Sequence, residues 1–377
     1  MSQRAIPAVF MRGGTSKALF FHRRDLPPTA SPHDCEAWNE IFRAAMGSPD
    51  PYGRQLDGMG GGQSSLSKVA IIAPSERPDA DIDFTFAQVG VKDLSVGYKG
   101  NCGNISSAVG PFAVDEGLVK TDGEAARVRI FNTNTAKLIV ATFGLKNGKA
   151  AVSGDYVLQG VAGSGAPIRL AFLNPGGAAT GRLLPTGRAT DKLEFDNGDA
   201  IEASLIDAAN PVVCVMASAI GLRGNEAPSR LRDDDEAMAR FEEIRIAAAL
   251  KMGLVKDRAE AETRVKNLPL VALLADKASG ASGADLETRM ISAGLPHGAV
   301  PLTGAMCLAV GARIPETLLN RIVRDDAQDG RLRIAHASGV IDVEATVKTQ
   351  QGVLDAVEAV VFRTARRLME GRILAPL

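Results

Sequence analysis

The sequence predicts an α+β protein built from two similar domains. Its 377 residues exceed what one ordinary hydrophobic core accommodates, and 45% of them are hydrophobic and 23% charged, as in globular proteins. Each half has short strands followed by a small-residue turn that opens a short apolar helix, at residues 101–104 and 303–305. A segment rich in Gly, Pro, Thr and Asn, residues 174–199, separates the halves. The halves share this plan without a strict sequence repeat, so we expect a duplicated architecture.

Apolar periodicity and turn residues predict the elements of the first half. In order they are a strand hairpin over 5–21, a helix over 32–46 capped by Ser31 and stopped by Gly47, an apolar strand from residue 69, an alternating strand from residue 81, a helix over 105–117, and several short strands over 127–173. Pro111 inside its helix removes a backbone donor and can kink that helix.

The same signals predict the elements of the second half. In order they are strands over 201–208 and 211–219, a helix over 233–253, a buried strand over 268–276, a short apolar helix opened by 302–305, and a long closing helix over about 352–370. The helix at 233–253 has acids in its first turn and Gly253 as its stop. The closing helix is predicted because one stripe of it carries Val353, Val357, Val360, Thr364 and Leu368.

Charge and hydropathy exclude several classes of function. The chain has 43 basic and 44 acidic residues, a net charge of −1, which leaves no global positive field for nucleic acid or an anionic membrane. No stretch approaches the roughly 20 apolar residues of a membrane span, and the N-terminal segment has no apolar core of a signal peptide. The sequence therefore predicts a cytoplasmic protein with no nucleic-acid or membrane partner, in which a local site binds any anion.

The cysteines and histidines predict no metal site. The four cysteines are widely spaced and form no CxxC pair, which argues against a disulfide framework and against zinc, and suits a reducing cytoplasm. None of the four histidines has the HExxH spacing or a similar one.

Cys102 is the strongest candidate for chemistry. It lies between Asn and Gly residues at a predicted strand-to-helix turn, where Gly100 and Gly103 allow close approach of a ligand to the backbone. A thiol at a helix N-terminus is close to the positive end of the helix dipole and to free N–H groups, which lower its pKa and suit it to proton transfer. The same N–H groups can hold a carboxylate. The other cysteines lie in apolar runs and are interpreted as buried and inert: Cys35, Cys214 and Cys307.

Lys68 is the second candidate. It ends a polar loop and directly precedes the apolar strand, so its side chain is expected near the edge of the sheet. A lysine acts as a base only when neutral, so burial or a positive neighbour must lower its pKa from about 10.4. From the residues alone, a solvated surface lysine stays an open alternative. The glycine run before Lys68 lacks the G-K-[ST] ending of a phosphate loop because Val69 follows the lysine, which argues against nucleotide binding.

Four segments resemble the PrpF family of isomerases, and they occur in that family's order: MRGGTSKALFFHRRDLP, QLDGMGGGQSSLSKVAII, GNCGNISSAVGPFAVDEGLV and PLTGAMCLAVGARIP. The resemblance extends to TARRLMEG, in the expected closing helix. It implies the diaminopimelate-epimerase-like fold, with two pseudo-symmetric domains, each a sheet wrapped around a central helix, and the active site in the cleft between them. We expect the first domain to span 1–187 and to receive residues 366–377, and the second to span 188–365.

The resemblance also implies cofactor-independent isomerisation of a small unsaturated polycarboxylate, such as 2-methylaconitate or 3-methylitaconate, by an allylic proton shift or cis–trans exchange. The family's catalytic pair falls on Lys68 and Cys102, which we expect to face each other across the gap between the domains. The positions that would contact substrate are Arg12, Thr15, Ser16, Ser65, Asn101, Gly103 and Asn104 in the first half, and Thr303, Gly304, Ala305 and Met306 in the second.

One departure from the wider superfamily is informative, and several alternatives stay open. Racemases and epimerases of this fold use two cysteines, one at each central helix start, whereas here Cys307 lies too far into the second helix. A two-thiol racemase is therefore disfavoured. One alternative is a 4-oxalomesaconate tautomerase of aromatic catabolism, and another is a non-catalytic accessory protein of an iron–sulfur aconitase-type dehydratase. The substrate, a homodimeric state and a functional link to an aconitase-like dehydratase stay open.

Overall fold

The computed structural model describes residues 3–29, 35–98, 101–276, 283–292, 294–323, 330–350 and 352–376. The strands in these ranges are β1 Gln3–Gly13, β2 Ser16–His22, β3 Lys68–Pro74, β4 Ile82–Val89, β5 Val96–Gly97, β6 Ala125–Asn132, β7 Lys137–Lys146, β8 Lys149–Ala150, β9 Ile168–Leu173, β10 Asp191–Glu194, β11 Ala200–Ala208, β12 Asn210–Met216, β13 Leu270–Leu274, β14 Leu286–Ser292, β15 Leu295–Pro296, β16 Arg331–His336, β17 Gly339–Gln350, β18 Val353–Arg363 and β19 Ala365–Pro376. The α-helices are α1 Asn39–Met46, α2 Gly103–Asp115, α3 Pro228–Arg232, α4 Asp235–Lys251, α5 Arg258–Thr263, α6 Leu302–Ala312 and α7 Leu318–Ile322.

The chain divides into two compact units. Unit 1 comprises Met1–Phe172 and Phe362–Leu377, and unit 2 comprises Leu173–Val361. The C-terminal strand β19 therefore belongs to unit 1, where it pairs antiparallel with β1. The sequence predicted domain boundaries between residues 187 and 188 and before residue 366. The units instead divide after Phe172 and after Val361.

Both units have the same sheet plan. In unit 1 the strand order is β19-β1-β2-β3-β4-β6-β7-β9. In unit 2 the order is β10-β11-β12-β13-β14-β16-β17-β18. Along each order the successive pairs are antiparallel, antiparallel, parallel, antiparallel, parallel, antiparallel and antiparallel. This identity of order and direction confirms the expected duplication, which no sequence repeat reveals.

An apolar helix is central to each unit. In unit 1, α2 packs against β1, β2, β3, β6 and β7, and its residues from Ile105 to Val114 are buried. Gly110 allows this approach, because a Cβ there would lie 2.8 Å from the Phe143 ring and 2.9 Å from the Ala141 Cβ. In unit 2, α6 packs against β11, β12 and β17 and is buried from Gly304 to Ala312. The expected sheet around a central helix is thus confirmed in both units.

Further helices cover other parts of the two sheets. In unit 1 a 3₁₀ turn, Cys35–Trp38, leads into α1, and α1 ends at Gly47, whose φ of 72° provides the left-handed cap. The predicted start of this helix, with Ser31 as its cap, lies outside the described residues. In unit 2, α4 begins after the Asp234 cap, and its buried residues join the core that includes Phe241 and Ile244.

The predicted closing helix is wrong. Residues 353–363 and 365–376 form β18 and β19, and β18 pairs with β17. Valine is β-branched and favours strands, but the end of β18 is buried on both faces, as Val360 and Val361 show. That end of the strand therefore does not alternate, and Val353 and Leu368, at the two ends of the predicted stripe, are exposed. The spacings of three and four residues thus mimicked a helical stripe by coincidence. No helix within the described ranges is long and apolar enough to cross a membrane.

Candidate active site

The β1–β2 turn lies directly against the first turn of α2. A Cβ at Gly13 would lie 2.5 Å from the Asn104 carbonyl oxygen, and one at Gly14 would lie 2.2 Å from Asn104 Oδ1. Gly14 also has a φ of 52°, in the left-handed region. Thr15, which is exposed in the turn, accepts a hydrogen bond from Asn104 Nδ2 at 3.2 Å. The two glycines therefore let the hairpin and the helix N-terminus share one small polar surface.

Cys102 is the N-cap residue of α2, as the sequence predicts. Its backbone is extended (φ −112°, ψ 98°) and its side chain makes no capping hydrogen bond. Ser106 donates to the Cys102 carbonyl oxygen, and its hydroxyl also donates to Asn101 Oδ1 at 3.0 Å. Asn101 accepts a further hydrogen bond from buried Asn132 at 3.4 Å. The half-buried thiol thus lies at the positive end of a helix dipole on a backbone held by polar contacts.

Lys68 is the first residue of β3 and is only 8% exposed, so the solvated surface lysine is ruled out. Its Nζ donates a hydrogen bond to Gln88 Oε1 and lies 5.1 Å from the centroid of the Phe86 ring. Gln88 is the register partner of Lys68 on β4, and its Nε2 donates to the Ser67 carbonyl oxygen at 2.9 Å. Burial lowers the pKa of Lys68, and its electrostatic interaction with Cys102 opposes this shift.

Lys68 and Cys102 both belong to unit 1, where they interact electrostatically. The expectation that they face each other from different domains is therefore wrong. The strand that carries Lys68 packs against the helix that Cys102 caps. A single unit can therefore bring the two groups together, and their proposed division of labour as acid and base stays a prediction.

The glycine-rich loop before Lys68 is organised by Gln55. This side chain is 1% exposed and donates to Ser67 Oγ at 2.8 Å, while its Oε1 accepts from the Gly62 N–H at 3.0 Å. A Cβ at Gly60 would lie 2.3 Å from the Gln55 amide. The loop thus fixes the backbone that leads to Lys68, and Ser65 lies in its 3₁₀ turn, half-buried.

The remaining predicted residues of unit 1 surround the same turn. Arg12 donates to the carbonyl oxygens of Gly14 at 2.9 Å and Thr364 at 3.0 Å, so it links the turn to the residue that precedes β19. Burial, and repulsion from Arg366, lower the pKa of Arg12. Ser16 is buried beside the turn. The first helical residue of α2 is Gly103, while Gly100 lies outside the described residues.

The predicted residues of unit 2 form the start of α6. Thr303 accepts a hydrogen bond from Asn210 Nδ2 at 3.3 Å, and Asn210 opens β12 at the β11–β12 turn. In unit 1 the β1–β2 turn contacts the start of α2 in the same way. Gly304, Ala305 and Met306 are buried. A substrate contact at these four residues stays a prediction.

The other three cysteines fit the inert interpretation. Cys35, Cys214 and Cys307 are buried, and burial raises the pKa of Cys214 and of Cys307. The Cys307 thiol donates to the Ile206 carbonyl oxygen at 3.5 Å, five residues into α6. In the described parts of the chain, no group of three or more His, Cys, Asp or Glu side chains converges as metal ligands would.

Sequence reasoning missed Gln88, Phe86, Gln55 and Arg363. Arg363 is buried at the end of β18 and donates from Nε to Asn104 Oδ1 at 3.2 Å. The alternating strand around Gln88 was predictable, but its register against β3 was not. Arg363 comes from a segment that reads as a helix, so no local signal brings it to α2.

Comparison with known proteins identifies the family. The family model described as "PrpF protein" matches residues 3–376. The 3-methylitaconate isomerase of Eubacterium barkeri is 41% identical, over 98% of this chain and 97% of that protein. The 2-methyl-aconitate isomerase of Cupriavidus necator is 38% identical, over 98% and 97%, and the 4-oxalomesaconate tautomerase of Pseudomonas putida is 36% identical, over 98% and 96%.

Solved structures agree with this assignment. A crystal structure titled methylitaconate-delta-isomerase superposes with a TM-score of 0.90 at 39% identity, covering 100% of this chain and 96% of that one. A hydroxyproline epimerase from Agrobacterium vitis, 11% identical, matches with a TM-score of 0.54 over 98% and 93%, which shows the shared epimerase and racemase fold. The resemblance noted in the sequence is confirmed: the chain belongs to the PrpF family and is an isomerase.

Proposed function

We propose that the chain is a cofactor-independent isomerase of a small unsaturated polycarboxylate, such as the tricarboxylate 2-methylaconitate or the dicarboxylate 3-methylitaconate, with Lys68 and Cys102 as its acid–base pair. The observation that carries the proposal is the state of Lys68. It is buried, its pKa is lowered by that burial, and it interacts with the thiol that caps α2. The relatives with the highest identity quoted above are named for these two substrates.

The chemistry requires a stabilised carbanion. A C–H group adjacent to a double bond and a carboxylate is weakly acidic, and its deprotonation gives a dienolate whose charge spreads onto the carboxylate oxygens. The N–H groups at the start of α2 can donate to such oxygens, and the helix dipole favours the negative charge. Neutral Lys68 removes the allylic proton, and Cys102 or Lys68 returns a proton to the conjugated carbon. The net result is a 1,3-shift or, after rotation in the dienolate, a cis–trans exchange.

Isotope exchange tests the proposal directly. Purified protein is incubated with trans-aconitate, 2-methylaconitate or 3-methylitaconate in deuterated water, and ¹H NMR follows loss of the allylic signal. Lys68→Ala and Cys102→Ser are each expected to slow exchange by about 100-fold or more, because each removes a proton-transfer group. Lys120→Ala is the matched control, since Lys120 is exposed. Exchange at the wild-type rate in both active-site variants would refute the assigned pair.

Two alternatives give different outcomes in the same experiment. The match to a relative named 4-oxalomesaconate tautomerase supports the alternative of keto–enol tautomerisation. 4-Oxalomesaconate is therefore assayed beside the methylated acids by ultraviolet absorbance. The substrate with the highest kcat/KM decides between these branches. A non-catalytic accessory role for an iron–sulfur dehydratase predicts no exchange with any of these acids. A functional link to such a dehydratase stays a prediction.

A further inference from the structure

Arg363 is a buried cation for which the described residues provide no acidic partner. It is 7% exposed, and within the described residues no Asp or Glu lies at ion-pair distance from it. The other buried arginines differ: Arg245 pairs with Glu242 at 2.6 Å, and Arg289 has Glu287 at 3.8 Å. Burial lowers the pKa of Arg363, and Tyr156 opposes this shift. A buried guanidinium that lacks a counter-charge is costly, so an anion that reaches it gains a strong interaction.

Among the residues that the structure describes, the hydrogen-bond acceptors of Arg363 are neutral oxygens. Its Nε donates to Asn104 Oδ1 at 3.2 Å, and one Nη donates to the Phe362 carbonyl oxygen at 2.7 Å. The second Nη has no protein acceptor among the residues that the structure describes. Asn104 is in the first turn of α2, where it also donates to Thr15. The Arg363 guanidinium and the first turn of α2 thus meet at one amide side chain, that of Asn104.

We propose that Arg363 binds a carboxylate of the substrate beside the N-terminus of α2 and so determines which polycarboxylates bind tightly. This inference rests on the proposed function, because it names a further residue of the same site. The guanidinium presents N–H donors in a fork that matches a carboxylate, which an isolated helix N-terminus does not. Its hydrogen bond to Asn104 also fixes which end of that amide faces Thr15.

The test combines a change in the protein with a change in the ligand. The probes are trans-aconitate and three dicarboxylates that each lack one of its carboxylates: itaconate, mesaconate and glutaconate. Their Kd values are measured by calorimetry at constant ionic strength for the wild type and Arg363→Gln. Loss of the contacted carboxylate is expected to raise Kd by about 10- to 100-fold in the wild type. In Arg363→Gln, that analogue is expected to bind as trans-aconitate does.

Two further variants keep the outcome interpretable. Arg372→Gln removes the same charge from an exposed residue of β19 and is expected to keep the wild-type pattern. Arg363→Lys keeps the charge without the fork, so it covers the case in which Arg363→Gln does not fold. It is expected to raise the Kd of trans-aconitate by about 10-fold.

The outcomes separate this inference from the proposed function. Wild-type discrimination among the dicarboxylates in folded Arg363→Gln, or an unchanged Kd in Arg363→Lys, overturns the role of Arg363 even if the wild type is active. Binding that depends on Arg363, in a wild type that isomerises none of the polycarboxylates, overturns the proposed function alone.

Discussion

The hydrogen-bond acceptor of Lys68 provides a direct test of what sets the pKa of this lysine. Gln88 Oε1 is a neutral acceptor for the Lys68 Nζ. Gln88→Glu is nearly isosteric but puts a negative charge in the same place. A nearby opposite charge favours the ammonium form, so the pKa of Lys68 is expected to rise. If neutral Lys68 removes the allylic proton, the acidic limb of kcat/KM against pH moves to higher pH.

The magnitude follows from the geometry. Two unit charges about 4 Å apart interact by about 4 kcal/mol at an effective dielectric constant of about 20, which corresponds to about 3 pKa units. Gln88 is only half-buried, and solvent screening reduces the shift to about 1–2 units. Each unit lowers the neutral fraction tenfold on the acidic limb. At neutral pH, kcat/KM is therefore expected to fall by about 10- to 100-fold and to recover as pH rises.

A substitution that is expected to shift the pKa of Lys68 in the opposite direction controls for general damage to the site. Gln88→Met removes an acceptor that favours the ammonium, so the limb is expected to move to lower pH by about 1–2 units. Gln63→Glu adds the same charge at an exposed position of the preceding loop and is expected to move the limb by less than about half a unit. The assay is steady-state kinetics from pH 5 to 10. Limbs that move in the same direction in both Gln88 variants, or stay in place in both, would refute the reasoning.

Two further predictions concern the turn and the thiols. Gly14→Ala is expected to lower kcat/KM by at least about 10-fold, because the new Cβ displaces the Asn104 amide and strains a residue at a φ of 52°. The control is Gly117→Ala, at a φ of 69° with open space around it, which should lower only the melting temperature. Equal kinetics in the two variants would contradict the expectation for Gly14. Iodoacetamide is expected to label Cys102 in the native protein, because the other three thiols are buried and become reactive only after unfolding, as peptide mass spectrometry can check; native labelling of Cys214 or Cys307 would contradict this.

Local signals predicted the elements that position Cys102. Gly and Asn residues precede an apolar run of helix length, and α2 begins at Gly103 as that pattern indicates. The hairpin before it was equally predictable, because Gly13 and Gly14 interrupt two apolar runs. These features depend on residues that are close in sequence, so a single chain reveals them.

The remaining parts of the site depend on distant pairings. Lys68 meets Gln88 only through the register of β3 against β4, which the charged turn between them does not determine. Arg363 reaches Asn104 because the C-terminal segment returns to pair with β1 as a strand. That segment has apolar spacings that also fit a helix. Because a helix was predicted there, Arg363 was not recognised as a residue of the candidate site.

Two arginines of unit 1 share one property that is expected to help a protein with a net charge of only −1 bind an anion. Burial lowers the pKa of Arg12 and of Arg363, and their hydrogen-bond partners are amide and carbonyl oxygens. By contrast, Arg129 and Arg258 bond to carboxylates, which raise their pKa. A carboxylate of the protein beside either Arg12 or Arg363 would neutralise it and compete with a bound anion. Neutral acceptors orient the two arginines without this competition, so an anionic substrate is expected to supply the missing charge and to stabilise unit 1 on binding.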